Sequence, residues 1–403
     1  MNGGMQRCFH ILHQLSRHCK VTAIINQDET TFKKAIQFFP ELGTVEIYST
    51  KNEPKIADVF SLLPFKIKNA LRYRWYKRSF SATTDSNLLL YYPVLKRLLK
   101  KERFDLVIIE NLDTINAIDI IRRHAKNIPI LYDAHNVDSR LAEEKVARGL
   151  LPKEYLRSIK QAESNLYKTV DGILACSEKD LSEFKQMNGQ QLKGVVVPNG
   201  VYLEDKLFDE GVQTENPGYI LFCGSLNYEP NAEGLNWFYH QIWPIVRKQF
   251  PALQLLVVGS GNLPKHLTYL TKDNSLYFTG TVEDVKPYYN KAAVAIVPLI
   301  SGSGTRLKIL EAMNFGVPVI STSKGAEGID CIDNTNLIIA DSEELFIRSV
   351  AELLYQKQKR IFLQQNARLL AEKKYDWTVI GKDMTNFIYK DLFKNVIKPA
   401  AGV

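Results

Sequence analysis

Short apolar runs alternate along this chain with longer amphipathic stretches. Val21–Ile25, Val45–Tyr48, Asp105–Ile109, Ile128–Tyr132, Gly172–Ala175 and Gly194–Val197 read as strands in the first half. Tyr219–Phe222, Leu253–Val258, Leu276–Phe278, Val294–Val297, Val317–Ser321 and Leu337–Ile339 do so in the second. Between them, stretches such as Gly234–Phe250 and Arg306–Phe315 carry the helical period. The strand runs are continuously apolar, as strands covered on both faces should be. Strand–helix alternation then predicts parallel sheets. The stretch Val201–Pro217 is polar, acidic and aperiodic, and it follows the turn signal Pro198-Asn199-Gly200. It predicts a hinge between two α/β, Rossmann-like domains, residues 1–205 and 206–375. One strand is missing from this plan. A Rossmann-like domain opens with an apolar strand that feeds a glycine-rich loop. Here Asn2-Gly3-Gly4 already stands at the start, so the first strand is expected upstream.

The length of 403 residues suits two domains, and 45% hydrophobic with 24% charged residues is ordinary globular usage. A formal charge of +8 favours anionic partners such as nucleotides or phospholipid surfaces. Cys8, Cys19, Cys176, Cys223 and Cys331 are odd in number and form no C-x-x-C pair. That spacing argues against both a disulfide framework and a zinc site, and each cysteine reads as a small buried hydrophobe in a reducing compartment. No apolar run is long enough to span a bilayer, and the start carries no signal-peptide core. The expected location is cytoplasmic, with any membrane association peripheral.

The strongest chemical constellation is Pro298–Pro318. A glycine-rich loop at a strand's carboxyl end leads into a helix, which is where open α/β sheets bind ligands. Gly302 and Gly304, flanking Ser303 and followed by Thr305, let the backbone approach a phosphate closely. The helix N-terminus offers free N–H groups, and Arg306 and Lys308 add positive charge. Lys308 and Glu311 share a helix face, where the lysine suits a diphosphate and the glutamate suits ribose or sugar hydroxyls. Arg306 joins them only if the helix starts after it. Two weaker loops follow other strands: Gly224-Ser225 and Gly280-Thr281-Val282. Convergence of such loops on one sheet edge would make a nucleotide cleft. In the first half, Asp133 and His135 end a strand and point to one side while the chain stays extended. His135 could polarise a sugar; the alternative is a loop histidine bonded to backbone.

These segments, in this order, resemble the retaining glycosyltransferases of family 4, which have the GT-B fold. Ile309-Leu310-Glu311-Ala312-Met313 followed by Gly316-Val317-Pro318-Val319 is the most specific part, and the closest branch builds bacterial surface or exported polysaccharide. The resemblance implies a nucleotide-sugar donor on the C-terminal domain. Glu311 would hold the ribose, Arg306 and Lys308 the diphosphate, the Gly224 loop the phosphates and transferred sugar, and Val282 would lie by the base. It implies that His135 contacts the donor sugar, that Gly3 and Gly4 form a loop against the donor phosphates, and that the acceptor is a saccharide or lipid-linked sugar. A final helix in 376–403, around Trp377–Phe393, would cross back to the first domain. The chain departs from the family at two places. Ser303 stands where the first of two glutamates is often found. Asn227, Tyr228, Glu229 and Asn231 stand where an arginine and a lysine often follow the first donor-domain glycine loop. Arg306 and Lys308 are expected to supply that charge. No D-x-D triplet occurs, so neither a metal nor another cofactor is expected. The segment Leu63–Phe80 mixes Lys and Arg with aromatic rings, as an interfacial segment does. Nucleic acid is not an expected partner. The rival readings are a nucleotide-sugar epimerase on the same fold, or a non-catalytic component of a polysaccharide assembly complex.

Overall fold

The computed structural model describes residues 3–25, 32, 36, 39–50, 85–203, 218–302, 304 and 306–393. The segment Leu63–Phe80, most of the expected hinge, Ser303 and Thr305 therefore lie outside the described residues. The chain forms two compact units: Met1–Val197 with Gly381–Val403, and Pro198–Ile380. All strand pairings in the described sheets are parallel.

In the first unit, helix α1 (Gly3–Ser16) precedes strand β1 (Thr22–Ile25), which pairs with β2 (Glu46–Ser49). Strands β3 (Val107–Glu110), β4 (Ile130–Ala134), β5 (Gly172–Ala175) and β6 (Gly194–Val196) form a separate sheet in that order. Helices α2 (Asp85–Lys101), α3 (Ala117–His124), α4 (Asp138–Ala147), α5 (Lys153–Glu163) and α6 (Glu178–Asn188) connect and cover it. Every residue of β4 is buried, which is why its run reads as unbroken apolar sequence until Asp133. A cavity of about 1640 Å³ lies between the two sheets, lined by α1, by β1 and by β3. Gly3 and Gly4 correct one expectation: they form the first turn of α1 rather than a loop.

The second unit carries a six-stranded sheet in the order β12-β11-β10-β7-β8-β9. These are β7 (Ile220–Cys223), β8 (Leu255–Val258), β9 (Leu276–Gly280), β10 (Val294–Val297), β11 (Val319–Ser321) and β12 (Ile338–Ile339). The twelve apolar runs of the sequence thus all become strands, with ends slightly shifted. Side chains alternate between two cores. Ile220, Phe222, Leu255, Val257, Val294 and Ile296 face one, and Leu221, Leu256, Val258, Ala295 and Val297 face the other. Helices α7 (Glu229–Trp237), α8 (Trp243–Gln249), α9 (Leu307–Asn314), α10 (Glu343–Tyr355) and α11 (Lys357–Leu370) supply the covering layers. Phe238, Trp243 and Phe346 fill the first core; Ile309, Leu310 and Met313 fill the second.

Two helix boundaries differ from the expected ones for local reasons. Helix α7 begins at Glu229 rather than at Gly234, because Pro230 occupies its first turn, where a missing N–H costs nothing. A π turn at Phe238–Ile242 then joins it to α8. Helix α9 begins at Leu307, because Arg306 has φ −88° and ψ 88° and caps it from outside. The cysteines also correct their expectation. Cys176 is buried, but Cys19 is exposed and Cys8, Cys223 and Cys331 are half-buried.

The start and end of the second unit are tied together. Val201 N–H donates to the Tyr375 carbonyl at 2.8 Å, and Trp377 N–H donates to the Val201 carbonyl at 3.1 Å. The next helix, α12 (Trp377–Phe387), begins there. A Cβ on Gly200 would lie 2.6 Å from the Tyr375 carbonyl oxygen, which is backbone and cannot yield. Gly200→Ala should therefore destabilise the second unit by about 1–3 kcal/mol, seen as a lower Tm in a thermal melt. An unchanged Tm would show that this closure does not stabilise the unit.

Candidate active site

The strand order of the second unit reverses between β7 and β10. From β7 the chain proceeds outward to β8 and β9; from β10 it proceeds the other way to β11 and β12. Carboxyl ends of strands at such a reversal leave a crevice. The loops after β7 and β10 carry Gly224-Ser225 and Gly302–Arg306, the two glycine segments singled out in the sequence.

The loops at this edge converge through their glycines. Gly224 N–H donates to the Val258 carbonyl at 2.8 Å, and Gly259 N–H to the Gly280 carbonyl at 3.3 Å. A Cβ on Gly259 would lie 2.0 Å from the Gly224 carbonyl oxygen, so only glycine permits this approach. Gly259 thus links the Gly224 loop to the Gly280 loop. It is a site residue that the sequence reading missed, although Gly259-Ser260-Gly261 follows an apolar run just as the other glycine loops do. Val282 packs half-buried beside the second core. Gly302 and Gly304 take φ +90° and +87°, values that side chains disfavour.

Lys308 stands over this loop. A Cβ on Gly224 would lie 2.6 Å from Lys308 Nζ. The ammonium donates to Asn231 Oδ1 at 2.7 Å, and Asn231 Nδ2 donates to the Ser225 carbonyl at 2.8 Å. Asn231, one of the residues that depart from the family pattern, therefore aims Lys308 at the glycine loop. The Phe222 ring centroid lies 4.9 Å from Nζ and adds a cation–π contact. Glu311 sits one turn on, as the sequence spacing implied, and the Tyr289 hydroxyl lies 3.2 Å from its Oε2. Burial pushes the Lys308 ammonium down to about 8; Arg306 opposes its charge, while Cys223 and Glu311 favour it. Burial also raises Glu311, against the Tyr289 hydrogen bond and Lys308. Arg306 is buried immediately before the helix, where the chain leaves the helical path.

The first unit holds a second polar cluster, at the carboxyl edge of β3 and β4. Glu110 and Asp133 are register partners at the ends of these strands. His135 Nε2 lies 3.0 Å from Glu110 Oε2 and 3.4 Å from Asp133 Oδ2. Asp133 is fully buried and is held by Arg7 of α1, whose Nε lies 3.1 Å from both carboxylate oxygens. Arg7 also donates to the Val197 carbonyl. Cys8 Sγ completes the cluster, 3.1 Å from Glu110 Oε2 and 3.7 Å from His135 Nε2. Burial disfavours charge on His135, but hydrogen bonding to Asp133, Cys8 and Glu110 outweighs it and pushes the imidazole up to about 12. Asp133, despite burial, is held at about 2 by Arg7 and His135. The sequence pointed to Asp133 and His135 and missed Arg7, Cys8 and Glu110. Glu110 ends an apolar strand just as Asp133 does, so the same rule could have found it. Arg7 and Cys8 carry no local signal.

Comparison with known proteins bears on both units. A model described as "Glycosyltransferase Family 4" matches residues 3–205, and one described as "Glycosyl transferases group 1" matches residues 217–356. An uncharacterized 44.6 kDa protein in the cps region of Klebsiella pneumoniae is 28% identical over 179 residues, 43% of this chain. The match covers only 45% of that relative's length. A phosphatidyl-myo-inositol mannosyltransferase of Propionibacterium freudenreichii is 22% identical over 300 residues, 71% of this chain and 70% of its own. Among solved structures, HepE of Anabaena in complex with UDP and glucose has the same fold, with TM-score 0.65 and 15% identity over 97% of this chain and 96% of that one. With a family model spanning half of its length and a second covering much of the rest, the chain belongs to glycosyltransferase family 4.

Proposed function

We propose that this glycosyltransferase uses a nucleotide-sugar donor, retains the anomeric configuration and needs no metal for the transfer, and that it acts in the synthesis of a surface or exported polysaccharide. The observation that carries the donor assignment is Lys308 Nζ poised over the Gly224 loop at the strand-order reversal. Cleaving the bond between sugar and diphosphate builds negative charge on the leaving phosphate. Lys308, Arg306 and the N-terminus of α9 supply positive potential for it, the electrostatic role a metal plays elsewhere. Glu311 holds ribose hydroxyls, Val282 lies by the base, and Gly302 and Gly304 frame the phosphates. HepE, bound to UDP and glucose, supports a uridine nucleotide as the first donor to try. The cps-region relative supports polysaccharide synthesis, and the phosphatidyl-myo-inositol mannosyltransferase supports a lipid-linked acceptor. Among the described residues no helix is long and apolar enough to cross a membrane.

His135 serves as a fixed cationic hydrogen-bond donor to the transferred sugar, not as a base. Its two carboxylate neighbours keep it charged, and Arg7 keeps the pair of carboxylates tolerable by neutralising Asp133.

UDP or a related nucleoside diphosphate should raise Tm, and Lys308→Ala should weaken binding about tenfold or more; no shift with any nucleotide would sink the donor site. Binding of the diphosphate should favour the charged Lys308, so the protein takes up a proton. Affinity is then full below about pH 8 and falls as pH rises above it, by up to about tenfold per unit. Titration calorimetry on either side of that pH tests this, and a flat profile would contradict it. His135→Ala should lower kcat by about a hundredfold with a smaller effect on the donor KM. The nitrogen chemical shifts of the imidazole should stay those of the charged form from mildly acidic to mildly alkaline pH; a neutral ring would rule out a fixed cationic donor at this position. The anomeric configuration of the product, read by NMR, checks retention.

A further inference from the structure

Cys8, Glu110 and His135 come from three separate segments, yet their ligating atoms all lie within 4.8 Å of one another. The separations are 3.1 Å for Cys8 Sγ to Glu110 Oε2, 3.7 Å for Cys8 Sγ to His135 Nε2 and 3.0 Å for His135 Nε2 to Glu110 Oε2. A tetrahedral zinc ion with bonds of about 2.0–2.3 Å requires ligand-to-ligand edges of roughly 3.3–3.5 Å. Each observed edge is within a few tenths of an ångström of that requirement, so small side-chain adjustments suffice.

We propose that these three side chains form an exchangeable site for a divalent zinc-like cation, with water as the fourth ligand. Three groups crowd one imidazole nitrogen: Glu110 and Cys8, and Asp133 Oδ2 at 3.4 Å. Without a metal, the Cys8 thiol donates to Glu110 Oε2 and Arg7 serves Asp133, so the imidazole hydrogen is left to the carboxylates. A metal in the middle serves nitrogen, sulfur and oxygen together. Asp133 does not join as a ligand, because both its oxygens accept from Arg7. Cys176, at the end of β5, donates to the Ala134 and His135 carbonyls and so is committed elsewhere. Coordination replaces the thiol proton and the imidazole proton by one divalent ion. Two protons leave to solvent and two positive charges arrive, so the buried region keeps its net charge. The cation also has a route in. Cys8 and Glu110 line the 1640 Å³ cavity, and the Glu110 side chain is 32% exposed.

The site bears on the reaction through His135 as donor to the transferred sugar. A metal on Nε2 displaces the proton that keeps the imidazole cationic and ties the ring to Cys8 and Glu110, so zinc inhibits transfer by a route separate from the donor site.

Cobalt(II) tests the site directly, since a thiolate bound to cobalt gives a near-ultraviolet charge-transfer band. The full chain should bind one equivalent with that band, and zinc should displace it. Cys8→Ser should abolish the band, while Cys19→Ser and Cys176→Ser keep it. Glu110→Gln should weaken binding without removing the band. No band in the wild type, or a band that survives Cys8→Ser, would overturn the proposal. Zinc should inhibit transfer by the wild type but not by Cys8→Ser. A cobalt band lost in Cys8→Ser, together with zinc-insensitive transfer by the wild type, would uphold the site and refute His135 as the donor to the sugar.

Discussion

A parallel sheet that buries both faces leaves only its edges and strand ends for polar chemistry, and both units of this protein obey that constraint. In the second unit each strand alternates its side chains between two apolar cores, with Phe222 in one and Leu221 in the other. Neither core admits an unpaired polar group without a cost of roughly 1–3 kcal/mol. Charge therefore gathers where strands end. Lys308, Glu311 and Arg306 sit on or beside the helix that follows β10, and Asp133, His135 and Glu110 sit at the ends of β3 and β4.

The two clusters solve the problem of half-buried charge differently. Lys308 is held by a neutral amide, an aromatic face and one carboxylate a turn away on its own helix, so its charge is labile and suits a site that waits for an anion. His135 lies between two carboxylates, one of them fixed by Arg7, so with no metal bound its charge is strongly favoured. An adaptable cation fits the proposed diphosphate site, and a charged imidazole fits the proposed donor to the transferred sugar.

The departures from the family pattern become intelligible in the same terms. Asn231, where a cation is often found, brings no charge of its own but holds Lys308 by one end and the Gly224 loop by the other. Charge delivered from one helix and aimed from another can replace charge delivered from both. Glycine at 259 is then obligatory, since the Gly224 backbone fills the space of any side chain, whereas a side chain at 224 would displace the ammonium that the loop is built to receive.

Much of this was legible along the chain, because it rests on local periodicity and local backbone chemistry. Unbroken apolar runs mark strands covered on both faces, so all twelve strands could be read. Glycines after strands mark tight loops, so Gly224, Gly302 and Gly304 stood out, and the three-residue spacing put Lys308 and Glu311 on one face of a helix. Boundaries set by single residues were less accessible: Pro230 starts its helix earlier than the periodicity suggested, and Arg306 proved to be a cap only once its backbone angles were known. What the tertiary structure alone decided is which distant residues meet. Strand order, with its reversal between β7 and β10, follows from non-local pairing and leaves no mark in any short window. Arg7 and Cys8 read as ordinary positions on a helix face until the fold sets α1 against the ends of β3 and β4, more than a hundred residues away. Periodicity is a property of neighbours in sequence; an ion pair such as Arg7–Asp133 is a property of neighbours in space, and only folding creates it.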